Sequence, residues 1–281
     1  MHYCDLHVHT NYSDGTCTPR QVVELAVKAG LKAVALCDHN TVAGVPEFLE
    51  AADRAGIEGI AGVEYSSEFE GKELHILGLF IEPANYEAVA QVGDRYLVGK
   101  EQSNVQLCRA LCGAGLDLDY EKIKAATADG FVNRAVIGRA MVAKGYVQSV
   151  EEAFNTWLSE KRGYYVPPYR PDALEIIRFI KSIGAVAVLA HPLLQLKTPE
   201  QQEAFLEQAA QAGLDAMEVC YSKYDEQETA QAMALAERFG LLPSGGSDFH
   251  GATKPDIAIG VGRGNLKIPY AWAQKIKMKK M

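Results

Sequence analysis

Two histidines near the start of the chain stand one residue apart, at the end of an apolar segment. They are His7 and His9 in DLHVHTNYSDG, and Asp14 follows them in a turn-forming stretch. Side chains two positions apart on a β-strand point to the same face of the strand. The two imidazoles are therefore predicted to bind one ion together. Imidazole mixed with carboxylate favours Zn, Mn or Fe, whereas Mg and Ca prefer sites made of oxygen atoms.

Further residues of the same chemical types occur along the chain. Most follow a predicted strand, and one histidine lies inside the fourth predicted strand; the set comprises Asp38, His39, Glu64, His75, His191, Asp248 and His250. Each residue alone could be a hydrogen-bonded core or turn residue, and Glu218 could be either solvated or an outer carboxylate. Six of the seven histidines follow the pattern, and His2 is interpreted as a surface residue. The combined pattern favours a metal site.

Seven short apolar segments are predicted to be strands, and segments of helical periodicity separate most of them. The strands are predicted at 3–8, 32–37, 57–63, 73–80, 184–190, 215–220 and 241–246. Thr18 followed by Pro19 predicts the start of the first helix, and Gly30 predicts its end. This alternation favours a mostly parallel sheet with helices outside it, and seven strands favour a barrel. Such barrels carry their active sites at the carboxyl ends of the strands, where most of the candidate ligands lie.

The alternation stops between Pro83 and Pro168, where the sequence has helical periodicity and no strand candidate. We therefore predict a barrel domain formed by residues 1–82 and 169–281 and a helical insertion formed by residues 83–168. The insertion is expected to cap the barrel mouth and to supply substrate-binding side chains. The candidates are Arg134, Arg139, Lys161, Arg162 and Tyr165. Arg134 is preferred because a guanidinium group binds phosphate through two hydrogen bonds, although each charge could also be a solvated helix charge.

Composition limits the possible functions. The 281 residues are 48% hydrophobic, which suits a protein with a sizeable core. No segment approaches the roughly 18 apolar residues of a membrane helix, and no signal-peptide pattern is present, so a cytoplasmic protein without membrane contact is expected. The net charge of −8 disfavours broad nucleic-acid binding, and the lysines at the end of the chain are interpreted as a solvated helix end. The six scattered cysteines indicate reduced thiols.

Six motifs carry a resemblance to a known family. They are DLHVHTNYSDG, LCDHNTVAG, AGVEYS, HILGL, LAHP and GGSDFHG, in that order along the chain. With them the chain resembles the polymerase and histidinol phosphatase (PHP) family of metal-dependent phosphoesterases. The resemblance implies an α/β fold, a distorted seven-stranded (β/α)7 TIM-like barrel, and two or three divalent ions (Mn, Fe or Zn). The segment from Gly138 to Leu158, GYYVP, and SDFHGATKPDIAIG are further similar to the nucleoside 3′,5′-bisphosphate phosphatase branch, in which some members are 5′-to-3′ exoribonucleases.

The resemblance also implies a set of catalytic metal ligands. One ion would be bound by His7, His9, Glu64 and Asp248. Glu64 would bridge to a second ion bound by His75 and His191. A third ion would be bound by Asp14, His39 and His250, and Asp38 is expected to orient an imidazole from outside the ligand set. The implied nucleophile is a metal-bound hydroxide.

The predicted activity is hydrolysis of the 3′-phosphate of a nucleoside 3′,5′-bisphosphate, so the partner is a small phosphorylated nucleotide and no protein partner is predicted. Three alternatives stay open: a 5′-to-3′ exonuclease on short RNA or DNA, another phosphatase such as histidinol phosphatase, and a metal-stabilised binding module. Two departures from the branch concern the substrate. Arg134-Ala135-Val136 stands where the branch has Arg-Pro-His, and CYSKYDEQ replaces a tyrosine-rich run that contains histidine.

Overall fold

The structure, a computed structural model, describes residues 2–127 and 132–280. It divides into two compact units. The barrel unit consists of Met1–Gly93 and Arg170–Met281, and the insertion unit consists of Asp94–Tyr169. The first boundary lies later than the predicted 82/83 because the chain after Pro83 still packs on the sheet. Val89 is fully buried there, and its carbonyl accepts a hydrogen bond from the Tyr65 hydroxyl at 2.8 Å.

Seven strands form one sheet in sequence order. They are β1 (Cys4–Val8), β2 (Ala33–Leu36), β3 (Glu58–Phe69), β4 (Lys72–Leu79), β5 (Val186–Leu189), β6 (Ala216–Tyr221) and β7 (Leu242–Gly246). Just beyond β7, the amide of Asp248 donates to the carbonyl of His7 at 2.8 Å, and the amide of His9 donates to the carbonyl of Phe249 at 2.9 Å. The last strand therefore returns to the first, which confirms the distorted seven-stranded barrel.

Eleven helices of the α type lie within the described residues. They are α1 (Pro19–Lys28), α2 (Val45–Ala55), α3 (Tyr86–Gly113), α4 (Tyr120–Ala125), α5 (Arg134–Ala143), α6 (Val150–Ala153), α7 (Ala173–Ser182), α8 (Pro192–Gln195), α9 (Pro199–Ala212), α10 (Glu226–Arg238) and α11 (Tyr270–Lys277). The start of α1 is confirmed, because the Thr18 side chain accepts from the amide of Gln21 and the Gln21 side chain accepts from the amide of Thr18.

The strands are apolar on both faces because each face packs against a different set of side chains. Val34 and Leu36 of β2 belong to the apolar cluster that includes Phe48 of α2. Ala33 and Ala35 belong to a second cluster with other strand residues. This double burial explains why the strands occur in the sequence as short continuous apolar runs. All six cysteines are free thiols.

The direction of β4 differs from that of the other strands. It is antiparallel to both β3 and β5, and His75 of β4 pairs with Ser66 of β3. The prediction that Glu64 follows the third strand is wrong, because β3 continues to Phe69 by pairing with β4. The reversed direction places the early residues of β4 beside the late residues of β3, so a histidine inside β4 lies next to the carboxyl end of the sheet.

The insertion unit is helical in the parts that the structure describes, residues 94–127 and 132–169. Besides the helices it contains a π-helical turn at Phe154–Leu158 and a 3₁₀ turn at Glu160–Arg162. Leu107, Leu111, Ile137 and Met141 form part of its own apolar core. The unit therefore has a core separate from that of the barrel unit.

Candidate metal centre

The nine side chains expected to bind metal meet in the barrel unit. His7 and His9 are fully buried at the end of β1, and their Nε2 atoms lie 2.9 Å apart, so both imidazoles point to one place. The remaining members come from β3, β4 and the segments after β1, β2, β5 and β7, and are Asp14, His39, Glu64, His75, His191, Asp248 and His250. Their nitrogen and oxygen atoms form overlapping groups that could each hold a metal ion.

Glu64 lies at the centre of the cluster and is fully buried. Its Oε2 atom lies 3.2 Å from Nε2 of His7, 3.3 Å from Nε2 of His9 and 3.1 Å from Nδ1 of His39. Its Oε1 atom lies 2.8 Å from Nδ1 of His75 and 3.1 Å from Nε2 of His191. One carboxylate therefore faces five imidazoles, with a different set on each oxygen.

The groups coincide only in part with the expected division among ions. His7, His9 and Asp248 form one group. His191 forms a group with His7 and Glu64, and His75 forms another with His39 and Glu64, although His191 and His75 both face Oε1 of Glu64. Asp14, His39 and His250 form another group together with His9. His39 is shared between two groups, because its Nε2 atom lies 3.8 Å from Asp14 while its Nδ1 atom faces Glu64.

Three buried atoms in the cluster have no hydrogen-bond partner in the described chain: Nδ1 of His9, Nδ1 of His39 and Oε2 of Glu64. Nδ1 of His39 and Oε2 of Glu64 face each other at 3.1 Å, and Nδ1 of His9 lies 3.9 Å from Asp14. Buried polar atoms are nearly always satisfied, so three unsatisfied atoms within one cluster indicate a missing partner. Imidazole nitrogens combined with carboxylate oxygens are suitable donors for Zn, Mn or Fe. The residues present therefore fit a cluster of divalent ions.

Three imidazoles are held by a partner on the nitrogen that faces away from Glu64. Nδ1 of His7 lies 3.0 Å from Glu218, Nε2 of His75 lies 3.3 Å from Glu73, and Nδ1 of His191 lies 2.8 Å from the side-chain amide of Gln195. His250 is held in a similar way, because its Nδ1 atom lies 2.8 Å from the carbonyl of Asp248 while its Nε2 atom faces Asp14 at 3.1 Å. Such outer contacts fix the tautomer and the orientation of a metal-binding imidazole.

The sequence did not single out Glu73 and Gln195, and left the role of Glu218 open. Glu218 is fully buried. Besides contacting His7, it accepts a hydrogen bond from the backbone amide of His191 at 2.7 Å. It thereby joins two predicted ligands that are far apart in the sequence. The only sequence signal is that Glu218 lies in an otherwise apolar strand.

Asp38 contacts a loop rather than an imidazole. Its carboxylate accepts from the amide and hydroxyl of Thr10, at 2.8 and 2.6 Å, and from the hydroxyl of Ser13 at 2.7 Å. Both partners belong to the turn between His9 and Asp14. The expectation that Asp38 orients a histidine ring is therefore corrected: Asp38 fixes the turn that carries Asp14.

The backbone around the cluster is unusual at two ligands. His191 has a φ of 29° and Asp248 has a φ of 55°. These left-handed conformations are uncommon for residues other than glycine, and they concentrate at functional sites. Asp5 is fully buried, and its carboxylate accepts hydrogen bonds from the backbone amides of Ser247 and Gly260 at 2.9 and 2.8 Å. It thereby anchors the segment that carries Asp248.

The carboxylates of the cluster are held in their charged form. Burial alone would raise the pKa of Glu64, but the charges of His39, His7 and His75 hold it well below its ordinary value. Burial would also raise the pKa of Asp248, but a hydrogen bond from His9 and the charges of His7, His250 and Lys254 hold it well below its ordinary value. Both carboxylates are therefore available to bind cations.

Four of the five predicted substrate-binding residues lie together in the insertion unit. Arg134, Lys161 and Arg162 line one cleft of about 720 Å³. The guanidinium of Arg134 lies 4.0 Å above the ring of Tyr165, which is buried. Arg139 lines a different cleft, between α4 and α5. Arg139 therefore does not share a cleft with Arg134, Lys161 and Arg162, and its role in substrate binding stays a prediction.

The chain matches the family model described as the PHP domain over residues 5–165. It belongs to the PHP family. The family comprises metal-dependent phosphoesterases, so the chain is a metal-dependent hydrolase of phosphate esters. Within the described residues, no helix is both long and apolar enough to cross a membrane.

Relatives with three different named activities resemble most of the chain. A 5′-3′ exoribonuclease of Haemophilus influenzae is 33% identical over 88% of this chain and 89% of its own length. A phosphoribosyl 1,2-cyclic phosphate 1,2-diphosphodiesterase of Eggerthella lenta is 31% identical over 88% of this chain and 94% of its own length. A 3′,5′-nucleoside bisphosphate phosphatase of Chromobacterium violaceum is 29% identical over 88% of this chain and 86% of its own length.

A solved structure from Bifidobacterium adolescentis, described as that of a candidate metal-dependent phosphoesterase, resembles the whole chain. It has a TM-score of 0.80 and 30% sequence identity, and the match covers 100% of this chain and 97% of that one. The likeness extends over both units of the chain and supports the PHP barrel fold.

Proposed function

We propose that this protein removes the 3′-phosphate from a nucleoside 3′,5′-bisphosphate, with two or three divalent ions (Mn, Fe or Zn) bound by the nine side chains around Glu64. The observation that carries the proposal is the meeting of five imidazoles on the two oxygens of one buried carboxylate. Such an arrangement suits clustered cations better than it suits a single ion pair. The protein is further proposed to work in the cytoplasm on a small soluble substrate.

The ions, when bound, would supply a water molecule of lowered pKa and would hold the oxygens of the phosphate group. The side chains have distinct tasks. Glu64 would hold ions through its two oxygens, and Glu218 and Glu73 each hold an imidazole, those of His7 and His75, in one orientation. Asp38 keeps Asp14 in place through Thr10 and Ser13.

Two observations support a nucleotide substrate. Two of the relatives are named for action on RNA or on a nucleoside bisphosphate. The cleft lined by Arg134, Lys161 and Arg162 also provides three cations within one unit. Guanidinium and ammonium groups bind phosphate through charge-assisted hydrogen bonds, so we propose that these residues contact a phosphate of the substrate. Tyr165 supports Arg134 by stacking beneath it.

The test is a comparison of substrates with the Mn²⁺-loaded protein. Adenosine 3′,5′-bisphosphate is expected to give adenosine 5′-phosphate and inorganic phosphate, with a kcat/KM above that for adenosine 5′-phosphate, histidinol phosphate and a ribosyl 1,2-cyclic phosphate. Hydrolysis of histidinol phosphate or of the cyclic ester, but not of the bisphosphate, would overturn the proposed substrate. A His7→Ala variant that kept full hydrolysis would show that the cluster is not the active site.

Exonuclease action on short RNA is the second candidate, because the Haemophilus influenzae relative is named a 5′-3′ exoribonuclease. The net charge of −8 disfavours a long strand as substrate. Rates on 5′-phosphorylated oligoribonucleotides of increasing length separate the two candidates. A steep fall after one or two nucleotides supports the bisphosphatase, whereas a rate that rises with length supports the exonuclease.

A further inference from the structure

Lys254 contacts a predicted metal ligand through the carboxylate oxygen that does not face the histidines. It follows the 3₁₀ turn Gly251–Thr253, and its Nζ atom lies 2.7 Å from Oδ2 of Asp248. The hydroxyl of Tyr221 donates to the same oxygen at 2.8 Å. The other oxygen, Oδ1, faces the imidazoles of His9 and His250 at 3.3 and 3.4 Å. The two oxygens of Asp248 thus have different surroundings.

The charge of Lys254 opposes metal binding. An ammonium beside the carboxylate repels a divalent cation bound to that carboxylate, and the repulsion is strong at a site shielded from water. Orientation of Asp248 does not require this charge, because the neutral hydroxyl of Tyr221 already binds Oδ2. The positive charge of Lys254 is therefore expected to have a role other than holding Asp248.

The partial exposure of Lys254 indicates this other role. Its side chain is 27% exposed, whereas that of Asp248 is 6% exposed. An ammonium has three donors, and Asp248 accepts one of them. The group therefore lies at the edge of the cluster, partly open to solvent, next to the carboxylate that is placed to bind an ion. Because Oδ1 and Oδ2 belong to the same carboxylate, an anion bound to an ion at Oδ1 can lie within reach of the ammonium at Oδ2.

We propose that Lys254 is a substrate-binding residue whose ammonium contacts the phosphate group that undergoes hydrolysis, with Asp248 as its tether. The negative charge of the phosphate offsets the repulsion between Lys254 and the ions. The inference rests on the phosphoesterase chemistry of the metal centre, but it does not depend on a nucleotide as the substrate. It adds a barrel-unit cation to those of the insertion unit.

The test measures two affinities for each of four proteins: wild type, Lys254→Met, Lys254→Arg and the surface control Lys267→Met. The affinity for Mn²⁺ is obtained from the EPR signal of free Mn²⁺, and the affinity of the Mn²⁺-loaded protein for inorganic phosphate is obtained by calorimetry. Lys254→Met is expected to bind Mn²⁺ as tightly as wild type or more tightly, and to bind phosphate about 10- to 100-fold more weakly, as expected for a lost charge-assisted hydrogen bond. Lys254→Arg is expected to keep most of the phosphate affinity, and Lys267→Met to keep both affinities.

The opposite pattern would overturn the proposal. If Lys254→Met bound Mn²⁺ more weakly and its loaded form bound phosphate as well as wild type, Lys254 would only position Asp248. Equal losses of phosphate affinity in Lys254→Met and Lys267→Met would show that net charge causes the effect, and this result would also overturn the proposal. Phosphate binding is measured without any nucleotide, so failure of the proposed bisphosphate substrate leaves this result unaffected.

Discussion

The Nδ1 atom of His7 lies 3.0 Å from Oε1 of Glu218, and both side chains are fully buried. The other nitrogen of His7 faces Glu64. The imidazole is thus held between two carboxylates, one outside the ligand cluster and one inside it. This arrangement is typical of a metal-binding histidine whose outer nitrogen is fixed by a carboxylate.

Replacing Glu218 by glutamine is expected to weaken Mn²⁺ binding by about 10- to 100-fold, because a neutral amide accepts a weaker hydrogen bond from His7 and no longer raises the basicity of its imidazole. The measurement is a Mn²⁺ titration of the purified variant. Glu207→Gln on the exposed side of α9 removes the same charge and serves as the control. Wild-type Mn²⁺ affinity in Glu218→Gln would contradict the outer role assigned to this residue.

Replacing Glu64 by glutamine is expected to remove more than one ion, because His7 and His39 face Oε2 while His75 and His191 face Oε1. Metal analysis by mass spectrometry should give a lower ratio of metal to protein than in wild type, and hydrolysis should fall to background. Loss of only one ion, with the others retained at full occupancy, would argue against a shared position for Glu64.

Metal affinity is expected to rise with pH. Burial would lower the pKa of His9, but hydrogen bonds with Asp248 and Glu64 raise it to about 9 in the metal-free protein. At neutral pH an incoming ion must therefore displace a proton from His9, and each displaced proton changes the apparent affinity by about tenfold per pH unit. Mn²⁺ titrations at pH 6, 7 and 8 should show affinity increasing in that order. A pH-independent affinity would show that His9 is already neutral.

Removal of the metal is expected to lower stability. When the free ion concentration is about 100 times the Kd, binding to the folded state adds roughly 2.7 kcal/mol to the free energy of unfolding for each site. Thermal unfolding with excess Mn²⁺ and after dialysis against a chelator should therefore give clearly different Tm values. His7→Ala is the matched control, because its Tm should respond much less to Mn²⁺ than that of the wild type.

Gly246→Ala is expected to destabilise the barrel unit. A Cβ atom at this position would lie 2.2 Å from Cβ of His7, so β7 and β1 would have to move apart at the metal centre. Urea unfolding should show a loss of about 1–3 kcal/mol, as for other overpacked sites. Gly113→Ala serves as the control, because no atom lies within 4 Å of a Cβ built there. Equal stability of Gly246→Ala and wild type would contradict the close approach of the two strands.

Much of the fold could be predicted because its signals are local. The seven apolar segments became strands whose ends differ from the predictions by at most two residues, except at the long end of β3. The direction of β4 could not be predicted, because an apolar strand that is buried on both faces has the same sequence pattern in either direction. The extension of β3 past Glu64 follows from that direction, so the sequence did not indicate it either.

The ligands themselves could be predicted because histidines and carboxylates stand out against apolar strands. Some of their supporting contacts could not, since these join residues that are distant in the chain: Glu218 meets His7, and Arg170 binds Glu73 beside His75. Asp38 was expected to orient an imidazole, yet its hydrogen bonds go to Thr10 and Ser13. Proximity in sequence could not reveal these long-range partners, although Glu73 and Gln195 lie within four residues of the histidines that they contact.

The return of β7 to β1 also has a consequence for protein synthesis. Asp5 and Ser247, 242 positions apart, form a hydrogen bond that ties the last strand to the first. His7 and His9 are translated before the other strands, whereas Asp248 and His250 are translated only after all seven strands. The nascent polypeptide therefore lacks part of its ligand set until β7 has been made, which delays hydrolysis until the barrel can close.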